Sequence, residues 1–246
     1  DVTPAARHVD DRVRVRLGIP ARTWFGSLVL PPGTVVDERG EVPTVFSAFH
    51  AAWLETPWDP WPEAGEAIVL DEPGEPLPLL DAPPRFLEGA AEATRRLDAF
   101  RALVEDYQDG RHALDGAGCS MISSDLAYGT LSPRAVVRAV AGATPGRLVY
   151  IRQLARRDWY AHLLHAHPRL VKAPMNEDLA EMAWRNQAPE VSAWKGGFTG
   201  YPIVDAGMRE LRQTGWLHHR VRAQAAAFLV VDLLVDWRVG ERHFRR

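Results

Sequence analysis

The sequence has 246 residues, of which 46% are hydrophobic and 25% charged, and this balance predicts a globular protein with a substantial core. Its net charge is −3, and the single cysteine, Cys119, excludes an internal disulfide and a disulfide-stapled secreted scaffold. The longest apolar stretch, residues 223–235, is too short to cross a bilayer. We therefore expect a cytoplasmic protein without a membrane role.

The charges are divided unevenly along the chain. Residues 1–133 carry 11 Lys+Arg and 22 Asp+Glu, whereas the remainder carries 18 and 10. This asymmetry marks the C-terminal half as the better partner for a polyanion. The alternative is that the imbalance only decorates solvated faces, and charge alone favours that interpretation.

Residues 1–88 are rich in proline and show little helical periodicity. Thr23 to Leu30 alternates loosely in hydrophobicity and is followed by Pro31-Pro32-Gly33, which predicts a strand or extended segment closed by a turn. Eight prolines lie from Pro57 to Pro84 inclusive. Residues 31–88 are therefore predicted to be a long connector rather than a packed domain.

From Gly89 onward the pattern predicts helices, and the second half of the chain reads as an all-helical domain. The evidence is helical spacing of apolar residues, a serine N-cap followed by proline, and a terminating glycine. The last predicted helix is apolar nearly all round, which is typical of a central buried helix. The predicted helices cover 91–107, a segment that begins at Ser132-Pro133, 149–165, a segment that ends at Gly215, and 221–237.

One face of the predicted helix 149–165 carries groups suited to nucleic acid. Arginine pairs with phosphate through two parallel hydrogen bonds, and planar groups stack on exposed bases. By periodicity alone, an ordinary solvated helix face is the simpler interpretation. The residues on this face are Gln153, Arg156, Arg157 and Tyr160, at spacing i, i+3, i+4 and i+7.

Residues 216–222 place cationic and titratable side chains at the start of the most apolar segment. Adjacent histidines, His218 and His219, could ligate a metal, but no further ligands lie at matching spacing, so we expect no metal site. Arg222 is expected to bind an anion or to pair with a carboxylate, for which Asp232 is a candidate.

Three ordered segments, 199–209, 214–222 and 232–237, together closely resemble the flavin-binding domain of the photolyase/cryptochrome family. Weaker matches at 157–160, 129–134 and 45–49 extend the resemblance over essentially the whole chain. The resemblance implies a mainly α fold, a helical photolyase-type FAD-binding domain. It also implies that residues 1–30 are the remnant of an α/β antenna domain, 31–88 the connector, and 89–246 the FAD-binding domain, truncated at its C-terminus.

The resemblance implies that FAD is the cofactor, and it assigns residues to the flavin. Tyr107 matches a tyrosine at the FAD phosphates, and Arg222 is assigned to the same cofactor. Trp184 and Trp237 match two members of a tryptophan chain that photoreduces the flavin. A further light-harvesting antenna chromophore is possible, although its site is expected to be mostly absent here. The phosphate-binding turn of the family matches Cys119, Ser120, Met121, Ile122 and Ser123.

The resemblance further implies light-driven repair of pyrimidine dimers in UV-damaged DNA by a monomeric carbon–carbon lyase. Gln153 to Tyr160 matches the lining of the substrate cavity, and His219-Arg220 matches a second DNA-contacting pair. The chain departs from the family pattern where Gln153 replaces a glutamate, Arg156 a stacking tryptophan and His219 an asparagine. Histidine at 219 resembles enzymes that repair six-four photoproducts, but Ala223 stands where their second histidine lies. A cryptochrome photoreceptor without repair activity, or a degenerate member without FAD, remains the alternative.

Overall fold

The computed structural model describes residues 3–20, 25–59 and 89–245, and within these ranges the secondary structure is helical, without strands. The mainly α fold is therefore as predicted. Most of the predicted connector, residues 60–88, lies outside the described residues, as do Thr23 and Trp24 of the predicted strand. The α-helices are α1 (Pro4–Leu17), α2 (Phe46–Glu55), α3 (Ala90–Arg101), α4 (Tyr107–Gly110), α5 (Ser123–Tyr128), α6 (Pro133–Ala139), α7 (Pro145–Ala166), α8 (Ala188–Gly196), α9 (Pro202–Thr214), α10 (His219–Ala227) and α11 (Trp237–Phe244).

Helix α7 is the element around which the first half of the protein packs. Tyr150 and Leu154 face a core cluster built with α3, α4 and α5, while Ala155 faces a second cluster built with α2 and residues 29–35. The start of α7 approaches the Val104–Asp106 turn so closely that a Cβ on Gly146 would lie 2.2 Å from the Val104 carbonyl oxygen. A side chain at position 146 would therefore push the two elements apart.

The second half packs around Trp194, which is fully buried and donates its indole N–H to the Ala225 carbonyl at 2.9 Å. Helices α9 and α10 meet at Gly207, where a Cβ would lie 2.3 Å from the Val221 side chain. Gly215 ends α9 in the left-handed conformation, with φ of 74°, as the sequence predicts.

Two predicted elements near the N-terminal side differ from the structure. The helix predicted over 91–107 is divided, because α3 ends at Arg101 and a 3₁₀ turn, Val104–Asp106, separates it from α4. Residues 25–30 form turns and bends rather than a strand. The amides of Val29 and Leu30 are used by a side-chain carboxylate from α7, so they are not available to a neighbouring strand.

The predicted central helix over 221–237 is also wrong in extent and burial. Helix α10 ends at Ala227, a π turn covers Phe228–Asp232, and α11 begins only at Trp237. Asp236 separates the helices because its side chain accepts the Arg238 amide at 2.9 Å, which makes it an N-cap. Not every apolar residue of this segment is buried in the core, because Val231 is 68% exposed.

Candidate functional site

The base of the candidate site is a cluster of buried tyrosines beneath the loop that follows α4. Tyr107 is 8% exposed, and its ring packs edge-on against Phe100 and Tyr150, with centroids 5.6 and 5.0 Å apart. Burial raises the pKa of both Tyr107 and Tyr150, so both phenols keep their protons at neutral pH. The Arg111 guanidinium lies 5.6 Å from the centre of the Tyr107 ring.

The loop over 111–122 brings two predicted residues onto this base. The Ser120 hydroxyl is hydrogen-bonded to the phenol of Tyr150. Cys119 lies close enough to both tyrosines to raise the pKa of each phenol further. Burial raises the pKa of the Cys119 thiol, so it is neutral and a weak donor. Tyr107, Cys119 and Ser120 therefore lie together, in what we call the tyrosine pocket.

The remaining residues of the predicted phosphate-binding turn differ in exposure. Met121 adopts the left-handed conformation, with φ of 56°, which costs about 1 kcal/mol or more for a non-glycine residue. Ile122 is 1% exposed and anchors the turn in the core. Ser123 is exposed on the first turn of α5. Serine hydroxyls at this turn, and a buried Arg111 Nε without a hydrogen-bond partner, are donors suited to phosphate oxygens.

A cationic cluster of Arg111, His112, His218, His219 and Arg220 borders the tyrosine pocket. His218 is fully buried, and its Nδ1 accepts the Arg220 amide at 3.3 Å at the start of α10. Its Nε2 lies 3.0 Å from the Arg111 carbonyl. Because Nδ1 is an acceptor, Nε2 carries the proton and donates to that carbonyl. His218 thus ties the 111–122 loop to the start of α10.

In the rest of the cationic cluster, histidine and arginine side chains lie close to one another. The rings of His218 and His219 are 4.4 Å apart, and Arg220 Nη2 lies 3.4 Å from His112 Nε2. Burial, followed by the neighbouring histidines and arginines, lowers the pKa of His219 to about 4. Burial and then Arg220 and Arg111 lower the pKa of His112. At neutral pH both imidazoles are uncharged, and the arginines hold the charge.

The predicted nucleic-acid face of α7 is divided into an internal and an exposed part. Gln153 is half-buried and donates to the Val149 carbonyl at 3.1 Å. Arg157 donates to the carbonyls of Ser27 and Leu126, the latter at 2.9 Å. The prediction that these four residues share one open face is therefore wrong, because the Arg157 guanidinium joins three segments of the fold.

Arg156 and Tyr160 form the exposed part of this face. The Arg156 guanidinium lies 4.3 Å from the centre of the Phe46 ring on α2, which fixes its direction by a cation–π contact. Tyr160 is 58% exposed, and its ring lies 5.0 Å from that of Trp159. Both side chains are open to a ligand that approaches α7 from solvent.

Asp158 is a central residue that sequence reasoning did not assign to any role. It is 1% exposed and accepts the amides of Val29 and Leu30 at 3.1 and 3.0 Å and the Trp53 indole N–H at 3.1 Å. Burial raises its pKa to about 6, against the opposing effect of these hydrogen bonds. The available signal was its position, which lies on the same buried stripe of α7 as Leu154 and His162.

The two tryptophans of the predicted electron-transfer chain are carried by neighbouring segments. Trp184 is half-buried, and the next residue, Arg185, donates its amide to the Leu234 carbonyl at 2.8 Å. Trp237 is half-buried at the start of α11, three residues after Leu234, with the Arg238 guanidinium 5.1 Å from its ring.

Arg222 and its suggested partner Asp232 do not form a buried pair. The Arg222 guanidinium lies 5.9 Å from the centre of the Phe244 ring, and Asp232 is exposed. The expectation of a buried, paired charge at 232 is therefore wrong, because the π turn directs this position towards solvent. Arg222 keeps its predicted role in FAD binding only as a proposal.

A cavity of about 920 Å³ lies between α1, the end of α7 and α11. Its wall includes the Trp237 ring, Lys172, and two arginines, Arg169 and Arg245, which form ion pairs with Glu177 and Glu241. The lining residues are Thr3, Pro4, Ala5, Leu164, Pro168, Arg169, Leu170, Val171, Lys172, Trp237, Glu241 and Arg245.

The described ranges contain neither a metal-holding cluster nor a helix suited to span a membrane. No group of three or more His, Cys, Asp and Glu side chains there is arranged to hold a metal ion. None of the helices in those ranges combines the length and hydrophobicity needed to span a membrane.

The chain is similar to known photolyases in sequence and in fold. Residues 150–246 match the family model described as the FAD binding domain of DNA photolyase. The deoxyribodipyrimidine photo-lyase of Escherichia coli is 34% identical over 262 residues, which cover 99% of this chain and 55% of that protein. The structure resembles a class III photolyase from Agrobacterium tumefaciens, with a TM-score of 0.87 and 30% identity over 100% of this chain and 56% of that one.

A cryptochrome is also among the similar structures. The Synechocystis cryptochrome has a TM-score of 0.82 and 25% identity, and the match covers 99% of this chain and 56% of that one. The chain thus spans about half the length of the relatives it matches. The fold is shared by photolyases and cryptochromes, so the choice between repair and signalling depends on individual side chains.

Proposed function

Because this chain belongs to the photolyase/cryptochrome family, we propose that it acts in the light-driven repair of UV-induced pyrimidine dimers in DNA by electron transfer from reduced FAD. The observation that carries the proposal is the position of the cationic cluster directly beside the tyrosine pocket. Donors suited to a cofactor's phosphates border side chains suited to a nucleic-acid backbone.

The tyrosine pocket fits the phosphate end of FAD. When FAD is bound, the hydroxyls of Ser120 and Ser123 would donate hydrogen bonds to its phosphate oxygens. The chemistry that FAD supplies when bound is a light-driven, reversible transfer of one electron to the dimer, which splits its cyclobutane bonds. Tyr107 and Tyr150 remain protonated and close the floor against water.

Substrate binding is assigned to the cationic cluster and to the exposed part of α7. Arg220 and Arg111 hold phosphates, and His219 contacts the lesion strand. Arg156 and Tyr160 offer planar surfaces to a base that leaves the duplex, which costs a few kcal/mol and less for a damaged, poorly stacked base. Gln153, one turn from Tyr150 on α7, is proposed to contact the substrate as well.

Trp184 and Trp237 are proposed to pass electrons from the surface towards the flavin. The hydrogen bond from the Arg185 amide to the Leu234 carbonyl holds the two segments that carry them at a fixed separation. The Arg238 guanidinium beside Trp237 stabilises the neutral, reduced form of that ring, because an oxidised tryptophan carries positive charge.

A cryptochrome photoreceptor is the second candidate, and Arg156 is the residue that favours it. Family members that repair pyrimidine dimers carry a stacking tryptophan where Arg156 stands. Here the guanidinium is already engaged with Phe46 at 4.3 Å, so the stacking plate for a flipped dimer is smaller.

The experiment that separates these candidates is a light-dependent repair assay. The protein is supplied with FAD, reduced and illuminated with an oligonucleotide that contains one thymine dimer. We expect flavin absorbance to copurify and the dimer to disappear in light but not in darkness. Bound flavin without dimer loss would favour the photoreceptor, and protein without flavin absorbance would indicate the degenerate alternative.

A further inference from the structure

His112 and His219 occupy a site whose geometry is fixed by contacts on both sides. The loop that carries His112 is held to α10 by the His218 to Arg111 hydrogen bond at 3.0 Å. Gly116, with φ of +76°, receives the Trp216 ring so closely that a Cβ there would lie 2.7 Å from it. The imidazoles and arginines therefore face one another across a rigid junction rather than on a free loop.

The positive groups at this junction exceed the negative ones. His112 faces Arg220 from α10, Arg111 from its own loop and His218 from the cap of α10. His219 faces the same arginines as well as His112 and His218. The carboxylates that act on the junction are Asp109, which opposes the lowering at His112, and Asp115, beside Cys119.

His112 is held in its uncharged form by a specific contact. Arg220 Nη2 lies 3.4 Å from His112 Nε2 and can only donate, so this nitrogen is the unprotonated acceptor. A protonated His112 would lose this contact and would turn an N–H towards the same space as Arg220. The pair can thus change from one mutual contact to two donors aimed at an anion.

We propose that His112 and His219 make nucleic-acid binding proton-linked, because a phosphodiester bound between Arg111 and Arg220 draws a proton onto each imidazole. This inference rests on the proposed function and deepens it by giving the DNA site a pH response. Burial is the largest cause of the lowered pKa of both histidines, and repulsion by the arginines adds to it. The phosphate's charge offsets that repulsion and raises both pKa values, and each protonated ring adds one charge-assisted hydrogen bond.

The direction of the pH response follows from the sign of this linkage. The free-state pKa of His219 is about 4, and the bound anion raises it. Protons are taken up wherever the pH lies between the free and the bound value, and there the affinity increases as pH falls. Each proton taken up completely changes the affinity about tenfold per pH unit. Above the bound pKa the linkage disappears.

The test is calorimetric titration of the full chain with an oligothymidylate of about ten nucleotides, a length within the usual site size for single strands. At about pH 6, two buffers of different ionisation enthalpy report the number of protons taken up. We expect uptake of between one and two protons and, while that uptake persists, an affinity about ten- to a hundredfold weaker one pH unit higher. His112→Gln and His219→Asn should each reduce the uptake, and the double variant should remove most of it.

His8→Gln, on the exposed face of α1, is the matched control and should leave both the uptake and the affinity unchanged. Binding with the same affinity across this pH range and no proton uptake would overturn the inference while leaving nucleic-acid binding intact. Failure to bind the oligonucleotide at any pH would overturn both the inference and the proposed function. Circular dichroism of each variant confirms that the fold is retained.

Discussion

Charged and titratable side chains are concentrated in two regions of the molecule. The two regions differ in whether these side chains find hydrogen-bond partners within the fold. Around Asp158, the buried carboxylate receives three N–H donors, and Arg157 donates to two carbonyls. Around His219, arginines and histidines face one another without a facing carboxylate of comparable proximity. Charges of the first kind are satisfied within the fold, whereas those of the second kind gain partners only when an anion binds.

This contrast distinguishes structural from ligand-binding arginines that look alike in sequence. Arg156 and Arg157 are adjacent, but of the two it is Arg157 whose guanidinium donates hydrogen bonds to main-chain carbonyls. Arg220 resembles Arg156, because its guanidinium stays near the surface and meets only an imidazole within hydrogen-bonding distance. The proposed DNA contacts are therefore Arg156 and Arg220, whereas the hydrogen bonds of Arg157 give it a fold-supporting role.

The largest effect is expected at Asp158. Asp158→Ala leaves the amides of Val29 and Leu30 and the Trp53 indole N–H without an acceptor, and each buried unpaired donor costs about 1–3 kcal/mol. We expect the free energy of unfolding in urea to fall by about 3–5 kcal/mol. Asp98→Ala, in an exposed ion pair with Arg101, is the control and should change stability by less than about 0.5 kcal/mol.

The second prediction concerns the pH dependence of the same carboxyl. Its folded-state pKa of about 6 is above the ordinary aspartate pKa of about 3.8, so between these pH values the folded protein binds a proton that the unfolded chain releases. Stability from this group is therefore fully present below about pH 4 and is lost as pH rises through about 6, by roughly 3 kcal/mol. The deficit of Asp158→Asn relative to the unmodified protein should thus be larger at low pH than at neutral pH in urea titrations. A deficit that grows with pH would show that the carboxylate is favoured in the fold.

Sequence reasoning succeeded where the chemistry is local and failed where it depends on tertiary partners. Gly215 ends α9, Cys119 lies near Tyr107 and Ser120 is hydrogen-bonded to Tyr150, because a turn and a short motif determine these positions. The division of residues 221–237 was missed, since an apolar run does not reveal that Asp236 will cap a new helix.

The roles of Asp158 and Arg157 were missed for a related reason. Each has a partner in residues 27–30, about 130 positions away in sequence. Helical periodicity assigns a face to each side chain but does not show which distant main-chain groups will occupy it. Sequence reasoning did not assign a role to His112, because its contact with Arg220, on another helix, is visible only in the folded structure.

A smaller effect is expected from enlarging the stacking surface at Arg156. In Arg156→Trp, an indole replaces the guanidinium above Phe46 and offers a flipped dimer a broader plate, worth about 1–3 kcal/mol. Binding to dimer-containing DNA should strengthen about tenfold, corresponding to ~1.4 kcal/mol, with little change for undamaged duplex. Arg152→Trp, one turn earlier and also facing Phe46, is the matched control and should not discriminate between the two DNAs. Loss of dimer binding in Arg156→Trp would instead identify Arg156 as a specific contact to another lesion or ligand.

The division between the two regions is tested most directly by the salt dependence of oligonucleotide affinity. The logarithm of affinity should fall steeply with the logarithm of salt concentration, and Arg220→Ala should lower that slope by about one unit. Arg157→Ala should leave the slope unchanged, because its guanidinium is committed to the carbonyls of Ser27 and Leu126. A slope that is insensitive to Arg220, or one that falls by about a unit in Arg157→Ala, would contradict the account.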